Sequence, residues 1–243
     1  MNSKIIIKLG TKAIFDSKNN KIKTDVLKSL SRGVSQLLKK GKEIIIVSSG
    51  AVGCGRNIIG NKKELGAKQA QAAVGQIKLM EKFSEIFSKK SIHVAQFLLN
   101  TEDLNSKKLQ NILAAYENLK GKAIPIINEN DVTTTDELSF GDNDNLSSEI
   151  LEKFNFDTLL ILTEKGALIK NKKPVITSNK FSIEDYDNLS TNDGYGFGGL
   201  ASKLDVAKKV AKKGKEIIIA KAGDDLIKIL NGNITSTKFV KNI

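Results

Sequence analysis

Six short apolar runs punctuate the chain: residues 4–9 (KIIIKL), 43–48 (EIIIVS), 91–99 (SIHVAQFLL), 123–127 (AIPII), 157–163 (DTLLILT) and 216–220 (EIIIA). Most are continuous rather than alternating, as in strands buried on both faces of a parallel sheet. Helix-like stretches at 23–40, about 66–90, 105–120, 145–154 and 201–213 lie between them. Strand-helix alternation of this kind predicts an α/β sandwich joined by right-handed crossovers. Segments 133–140 (TTTDELSF) and 167–176 (ALIKNKKPVI) read as short hairpins or flaps outside the main sheet. The octapeptide KKGKEIII occurs at 39–46 and again at 212–219. In each copy a glycine ends a helix and the chain enters a buried strand, so the echo is architectural.

In such a sheet, ligands bind outside the carboxyl ends of the strands. Those ends carry Lys8-Leu9-Gly10, Ser48-Ser49-Gly50, Asn128-Glu129-Asn130-Asp131 and Thr163-Glu164. All four are polar or glycine-bearing, so the residues able to do chemistry fall where the fold would use them.

The totals narrow the options. With 243 residues, two prolines and no long Gly/Ser tract, the chain reads as a single domain over 1–243. The net charge of +12 raises nucleic acid as a partner, but Arg32 and Arg56 are the only arginines and aromatics make up 5%. The lysines come in pairs at helix ends, where they complement the helix dipole, so no nucleic-acid partner is expected. Cys54 is the only cysteine, which excludes an internal disulfide and a cysteine-based zinc site. The N-terminus has only three isoleucines before Lys8, too few for a signal peptide. No run approaches the roughly 18 apolar residues of a membrane span. A cytoplasmic protein with no membrane partner is the expectation.

Four stretches can carry chemistry. In IIIKLGTK, Lys8 ends a buried strand before Gly10 and can hold a phosphate, or simply leave the strand for solvent. In VSSGAVGCG, Ser49 and Gly50 open a small-residue helix whose N-terminus suits an anion. Gly53 and Gly55 there suit tight helix packing, and Cys54 a small packed residue. GYGFGGLASKLDVAKK places Lys203 one helical turn after Gly199, leaning back toward the Gly198 and Gly199 amides, although glycine richness also fits a surface loop. SFGDNDNLSSEI fits a polar turn, a cation site, a helix cap or a substrate pocket.

His93, the only histidine, lies in a strand-like run and reads as packed. Triad chemistry and a protein-held metal are therefore not expected. Lysines, glycine turns and carboxylates remain, which is the equipment of phosphoryl transfer.

Taken in order, IIKLG, IVSSGAVG, IPIINENDV, GDNDNLS and GFGGLASK resemble the amino acid kinase family over essentially the whole chain, with NENDV followed by GDNDNLS as the specific part. The resemblance implies a three-layer αβα sandwich with a central, mainly parallel sheet. It implies ATP-dependent phosphorylation of the side-chain carboxylate of L-glutamate to L-glutamyl 5-phosphate, the first step of proline biosynthesis. By the match, Lys8 and Lys203 neutralise the transferring phosphoryl group, Asp144 orients both lysines, and Gly10 and Gly50 offer backbone N–H groups. Ser49, Asp131 and Asn143 hold glutamate, with Asn128 nearby and Asp131 suited to the α-amino group.

The same match lays ATP along Thr163, Glu164 and the loop residues Phe197, Gly198, Gly199, Leu200, Ala201, Ser202 and Lys203, with Mg2+ entering on the nucleotide. It also implies proline as a feedback inhibitor and a homo-oligomer, dimer or tetramer. Related proteins often add a C-terminal PUA domain, and this sequence ends before one could begin. Two departures fall on the nucleotide side: Thr163-Glu164 stands where the family usually has Thr-Asp, and Phe197 replaces a hydroxyl in GFGGLASK. The role of Asp142 is open. The alternatives are a sibling kinase acting on another carboxylate or carbamate and, more remotely, a basic nucleic-acid-binding or regulatory module.

Overall fold

In the computed structural model, which describes residues 4–134, 143–187 and 199–240, eight strands form one twisted sheet. Their order across it is Thr177–Ser178, Ser236–Phe239, Glu216–Lys221, Thr158–Thr163, Lys4–Leu9, Glu43–Ser48, Ala123–Glu129 and His93–Leu99. Every neighbouring pair is parallel except Glu216–Lys221 with Ser236–Phe239. The six apolar runs all become strands of this sheet. Ser236–Phe239 and the edge pair Thr177–Ser178 are additions, of four and two residues, too short to carry a strand signature of their own.

Helices cover both faces, giving the expected three-layer αβα sandwich. Ile5, Ile7 and Leu9 pack on one side with Leu27, Leu30 and Val34 of the helix Thr24–Lys39 and Leu79 and Phe83 of Leu65–Ser88. Ile6 packs on the other with Leu146 and Ile150 of the helix Asn143–Lys153 and Leu204 and Val210 of Leu200–Lys212. Each fully buried aliphatic side chain contributes about 1.5–3 kcal/mol, so these two stripes fix all four helices against the sheet. Strand alternation places Lys8 on the face of Ile6, beneath the helices that begin at Asn143 and Leu200. The central strand thus delivers its one buried cation to that layer.

Both copies of KKGKEIII do the same work. Gly41 and Gly214 take φ of +71° and +70°, ending the helices Thr24–Lys39 and Leu200–Lys212 and turning the chain into a strand. Residues 169–174 form the expected small hairpin, with Ile169–Lys170 antiparallel to Lys173–Pro174. Most of 133–140 lies outside the described residues. One expectation is corrected: His93 is exposed rather than packed. Its strand is the sheet edge, where Gln96 and Leu98 also face outward, so an apolar-looking run is here buried only in part.

Candidate active site

Asp144 stands in the first turn of the helix Asn143–Lys153, where the helix dipole favours an anion, and it is 1% exposed. Its Oδ1 lies 2.6 Å from the Lys8 Nζ and its Oδ2 3.1 Å from the Lys203 Nζ. Lys203 reaches back from the first turn of its own helix and also approaches the Gly199 carbonyl at 3.4 Å. Burial alone would push the Asp144 carboxyl up, but the two ammonium groups outweigh it and hold the carboxyl at about 2. Two cations on one carboxylate leave a net positive charge at the carboxyl ends of the strands. An anionic group entering there completes the neutralisation.

The next strand end supplies small residues. Ser49 is buried, and Gly50 caps the helix Ala51–Ile59 with φ +104°, where a side chain would be strained and would press on Ile14. That helix crosses Leu65–Ser88 backbone to backbone. A Cβ on Gly55 would lie 1.9 Å from the Gln71 carbonyl oxygen, and one on Gly75 would lie 1.8 Å from that of Ala51. Gly53 abuts the Phe15 ring, so Gly53 and Gly55 serve packing, as expected. Cys54 is buried, and burial pushes its thiol up to about 11. It acts as a small packed side chain.

Asn128 and Asn143 converge on one backbone group. The Glu129 N–H donates to Asn128 Oδ1 at 3.0 Å and to Asn143 Oδ1 at 3.3 Å. Asn128 Nδ2 in turn donates to Gln76 Oε1 at 2.9 Å, in a buried contact. Beside this array opens a cleft of about 180 Å³, lined in part by Ala51, Gln76, Leu98, Asn130, Asp131 and Val132. Asp131 is 7% exposed, its Oδ1 is buried without a hydrogen-bond partner, and burial pushes its carboxyl up to about 7. A buried carboxylate oxygen left this way is a receptor for a cationic group. Gln76 was missed by the sequence reading. Its signal is a polar residue in the buried stripe Ala72, Gly75, Gln76, Leu79, Phe83 of a long helix.

On the remaining side the expected residues already have partners within the protein. The Thr163 hydroxyl accepts from the Gly166 N–H at 2.8 Å and closes a turn. Glu164 pairs with Lys23 at 2.7 Å. The Gly10 N–H donates to the Leu162 carbonyl at 3.3 Å, and its own carbonyl accepts from Ala13 and Ile14, so Gly10 serves the strand-to-helix turn. Gly199 caps the helix that begins Leu200-Ala201-Ser202-Lys203. Asp142, Phe197 and Gly198 lie outside the described residues. Among the described residues no three Asp, Glu, His or Cys side chains converge to hold a metal ion, and Asp144 is engaged by lysines. No helix among the described residues is long and apolar enough to cross a membrane.

Comparison with known proteins bears on the fold and the family. The fold resembles carbamate kinase from Giardia, with a TM-score of 0.63, 17% identity and 99% of each chain covered. It also resembles UMP kinase from Ureaplasma parvum, with a TM-score of 0.64, 12% identity, and 99% of this chain and 100% of that one covered. Glutamate 5-kinase from Dictyoglomus thermophilum is 37% identical in an alignment 230 residues long that covers 90% of this chain and 62% of that protein. Glutamate 5-kinase from a Geobacter species is 36% identical in a gapped alignment 253 positions long that covers 98% of this chain and 67% of its own. The chain thus spans somewhat under two thirds of the Dictyoglomus protein. The family model described as "Amino acid kinase family" matches residues 3–221, which takes in Lys8, Asp131, Asp144 and Lys203. The chain belongs to the amino acid kinase family.

Proposed function

We propose that the chain transfers the γ-phosphoryl group of MgATP to the side-chain carboxylate of L-glutamate, giving ADP and L-glutamyl 5-phosphate for proline biosynthesis. The observation that carries this reading is the contrast between two buried carboxylates. Asp144 is ion-paired with both Lys8 and Lys203, while Asp131 keeps an oxygen without a partner beside the cleft. The first arrangement suits an anion that accumulates charge, and the second suits the α-ammonium of a free amino acid. The names of the Dictyoglomus and Geobacter relatives support the same substrate.

The acceptor is a carboxylate, ionised at neutral pH, so no general base is required. What the protein must do is offset the repulsion between two anions and align them. Lys8 and Lys203 neutralise the transferring phosphoryl group from different elements, and Asp144 keeps both ammonium groups aimed at it. Asn143, its Oδ1 fixed by the Glu129 N–H, presents its amide nitrogen, and Ser49 its hydroxyl, to glutamate. Gly50 leaves room for close approach. ATP lies toward Thr163, Glu164 and the start of the helix at Leu200.

In the same reading the enzyme is cytoplasmic, a homo-oligomer, and inhibited by proline at the glutamate site. Exposed Ile77 and Val132, at 73% and 50%, support an oligomer contact near the cleft. An assay of ADP release with L-glutamate, L-aspartate and N-acetyl-L-glutamate tests the substrate. Glutamate turns over fastest if the reading holds, and N-acetylglutamate, which lacks the ammonium group, outrunning it would overturn the assignment.

A further inference from the structure

Two amide side chains near the cleft have a polarity that the backbone dictates. The Glu129 N–H can only donate, so Asn128 must present Oδ1 to it at 3.0 Å. Asn128 Nδ2 is then the end that faces Gln76 at 2.9 Å, and as a donor it requires Gln76 Oε1 as its acceptor. Gln76 Nε2 is left as the opposite end. It is buried, has no hydrogen-bond partner, and belongs to a residue that is 7% exposed. An unpaired buried N–H group is costly, and a ligand acceptor would recover that cost.

Gln76 lines the same cleft as Asp131, whose Oδ1 is the unpaired acceptor there. One orphan donor and one orphan acceptor at one cleft match the two α-substituents of an amino acid, a carboxylate and an ammonium. The described lining includes neither Lys8, Asp144 nor Lys203, so the cleft serves the end of the substrate remote from phosphoryl transfer. This step rests on the proposed glutamate reaction.

We propose that Gln76 is a specificity-determining residue that binds the substrate α-carboxylate through Nε2, held in that orientation by Asn128 and the Glu129 backbone. It completes the zwitterion site begun by Asp131. Asn128 is then a positioning residue, acting on glutamate through Gln76.

The test compares L-glutamate with its α-amide, L-isoglutamine, in the wild type, Gln76→Leu and the isosteric Gln76→Glu, with thermal melts to confirm folding. Hydrogen bonds to a charged group set the expected scale, so Gln76→Leu raises KM for glutamate by roughly 10- to 100-fold. KM for ATP is unchanged. The wild type loses efficiency on isoglutamine, while Gln76→Leu loses little more on changing substrate, because both changes remove one interaction. Gln76→Glu keeps an oxygen for Asn128, repels the α-carboxylate, and prefers isoglutamine to glutamate.

Equal KM for glutamate in all three proteins overturns the inference. So does an isoglutamine penalty in Gln76→Leu as large as in the wild type. Wild-type protein that does not turn over glutamate overturns the proposed reaction, and this inference with it. Wild-type turnover with unaffected variants removes the role of Gln76 alone.

Discussion

Asp131 and Asp144 are two buried carboxylates of one site held in opposite electrostatic states. Asp144 is clamped by Lys8 at 2.6 Å and Lys203 at 3.1 Å, whereas Asp131 Oδ1 has no hydrogen-bond partner. The first is held down at about 2, and burial pushes the second up to about 7. A substrate with an anionic and a cationic end is oriented by that difference.

The raised Asp131 carboxyl gives a signed pH dependence. Binding an ammonium group requires the ionised form, so below about 7 a proton must leave before glutamate binds. KM for glutamate is expected to rise roughly tenfold per pH unit on the acid side. Asp131→Asn raises KM at neutral pH and flattens the profile. Steady-state kinetics across that range checks both, and a wild-type KM independent of pH would count against the assignment.

The same group acts on stability with the opposite consequence. Below 3.8 both folded and unfolded chains carry the proton, and between 3.8 and about 7 only the folded chain does. Ligand-free stability therefore falls as pH rises through that window and then levels off. Asp131→Asn is expected to be more stable than the wild type at alkaline pH and to lose that advantage as the pH falls to the ordinary aspartate range. Urea unfolding at several pH values measures the difference.

Lys8→Ala and Lys203→Ala are each expected to lower kcat by about 10²- to 10³-fold, the scale of removing one preorganised group that stabilises developing charge. Asp144→Asn leaves two ammonium groups facing each other without a counter-charge. Removing one partner from such a buried set costs about 3–5 kcal/mol. Circular dichroism in urea reads the stability and ADP release reads kcat. Near-normal kcat in both lysine variants would remove the mechanism.

Gly75→Ala tests the helix crossing that carries Gln76. The added methyl would meet the Ala51 carbonyl oxygen at 1.8 Å, so the helices must separate. Overpacking of this kind costs about 1–3 kcal/mol or more. The expected result is a lower melting temperature together with a raised KM for glutamate, because Gln76 is the next residue. Gly66→Ala, at a helical site where an added Cβ meets nothing within 4 Å, is the control and should leave KM unchanged without lowering the melting temperature.

Cys54 offers a direct probe of local opening. It is buried, with its thiol pushed up to about 11, so thiolate reagents should react slowly with the native protein. Reaction should accelerate in step with urea unfolding. Rapid modification of the folded chain would show that the helix Ala51–Ile59 opens on its own.

The strands and long helices were legible because each is written in a strong local pattern: isoleucine runs for the sheet, and spaced apolar residues ending in Gly41 and Gly214 for the helices. The layer that Lys8 faces also follows from alternation with Ile6. What local pattern cannot give is pairing across the fold. That Lys8 and Lys203 share Asp144 came through family resemblance and is now visible as geometry. That Glu164 turns to Lys23 depends on a neighbour far along the chain. His93 was misread because an edge strand and a central strand can share one composition. Gln76 escaped because its chemistry depends on the amide of Asn128, which in turn depends on one backbone N–H.

The lysine clamp also constrains how the chain can be built on the ribosome. Lys8 is made early and sits in the middle of the sheet, flanked by Glu43–Ser48 and Thr158–Thr163. Its counter-charge is residue 144, and the second of its flanking strands follows later still. A nascent chain that closed around the first strand before then would trap an uncompensated cation. The first strand therefore has to wait with its lysine hydrated. Sheet closure and assembly of the reaction centre become one late event rather than two.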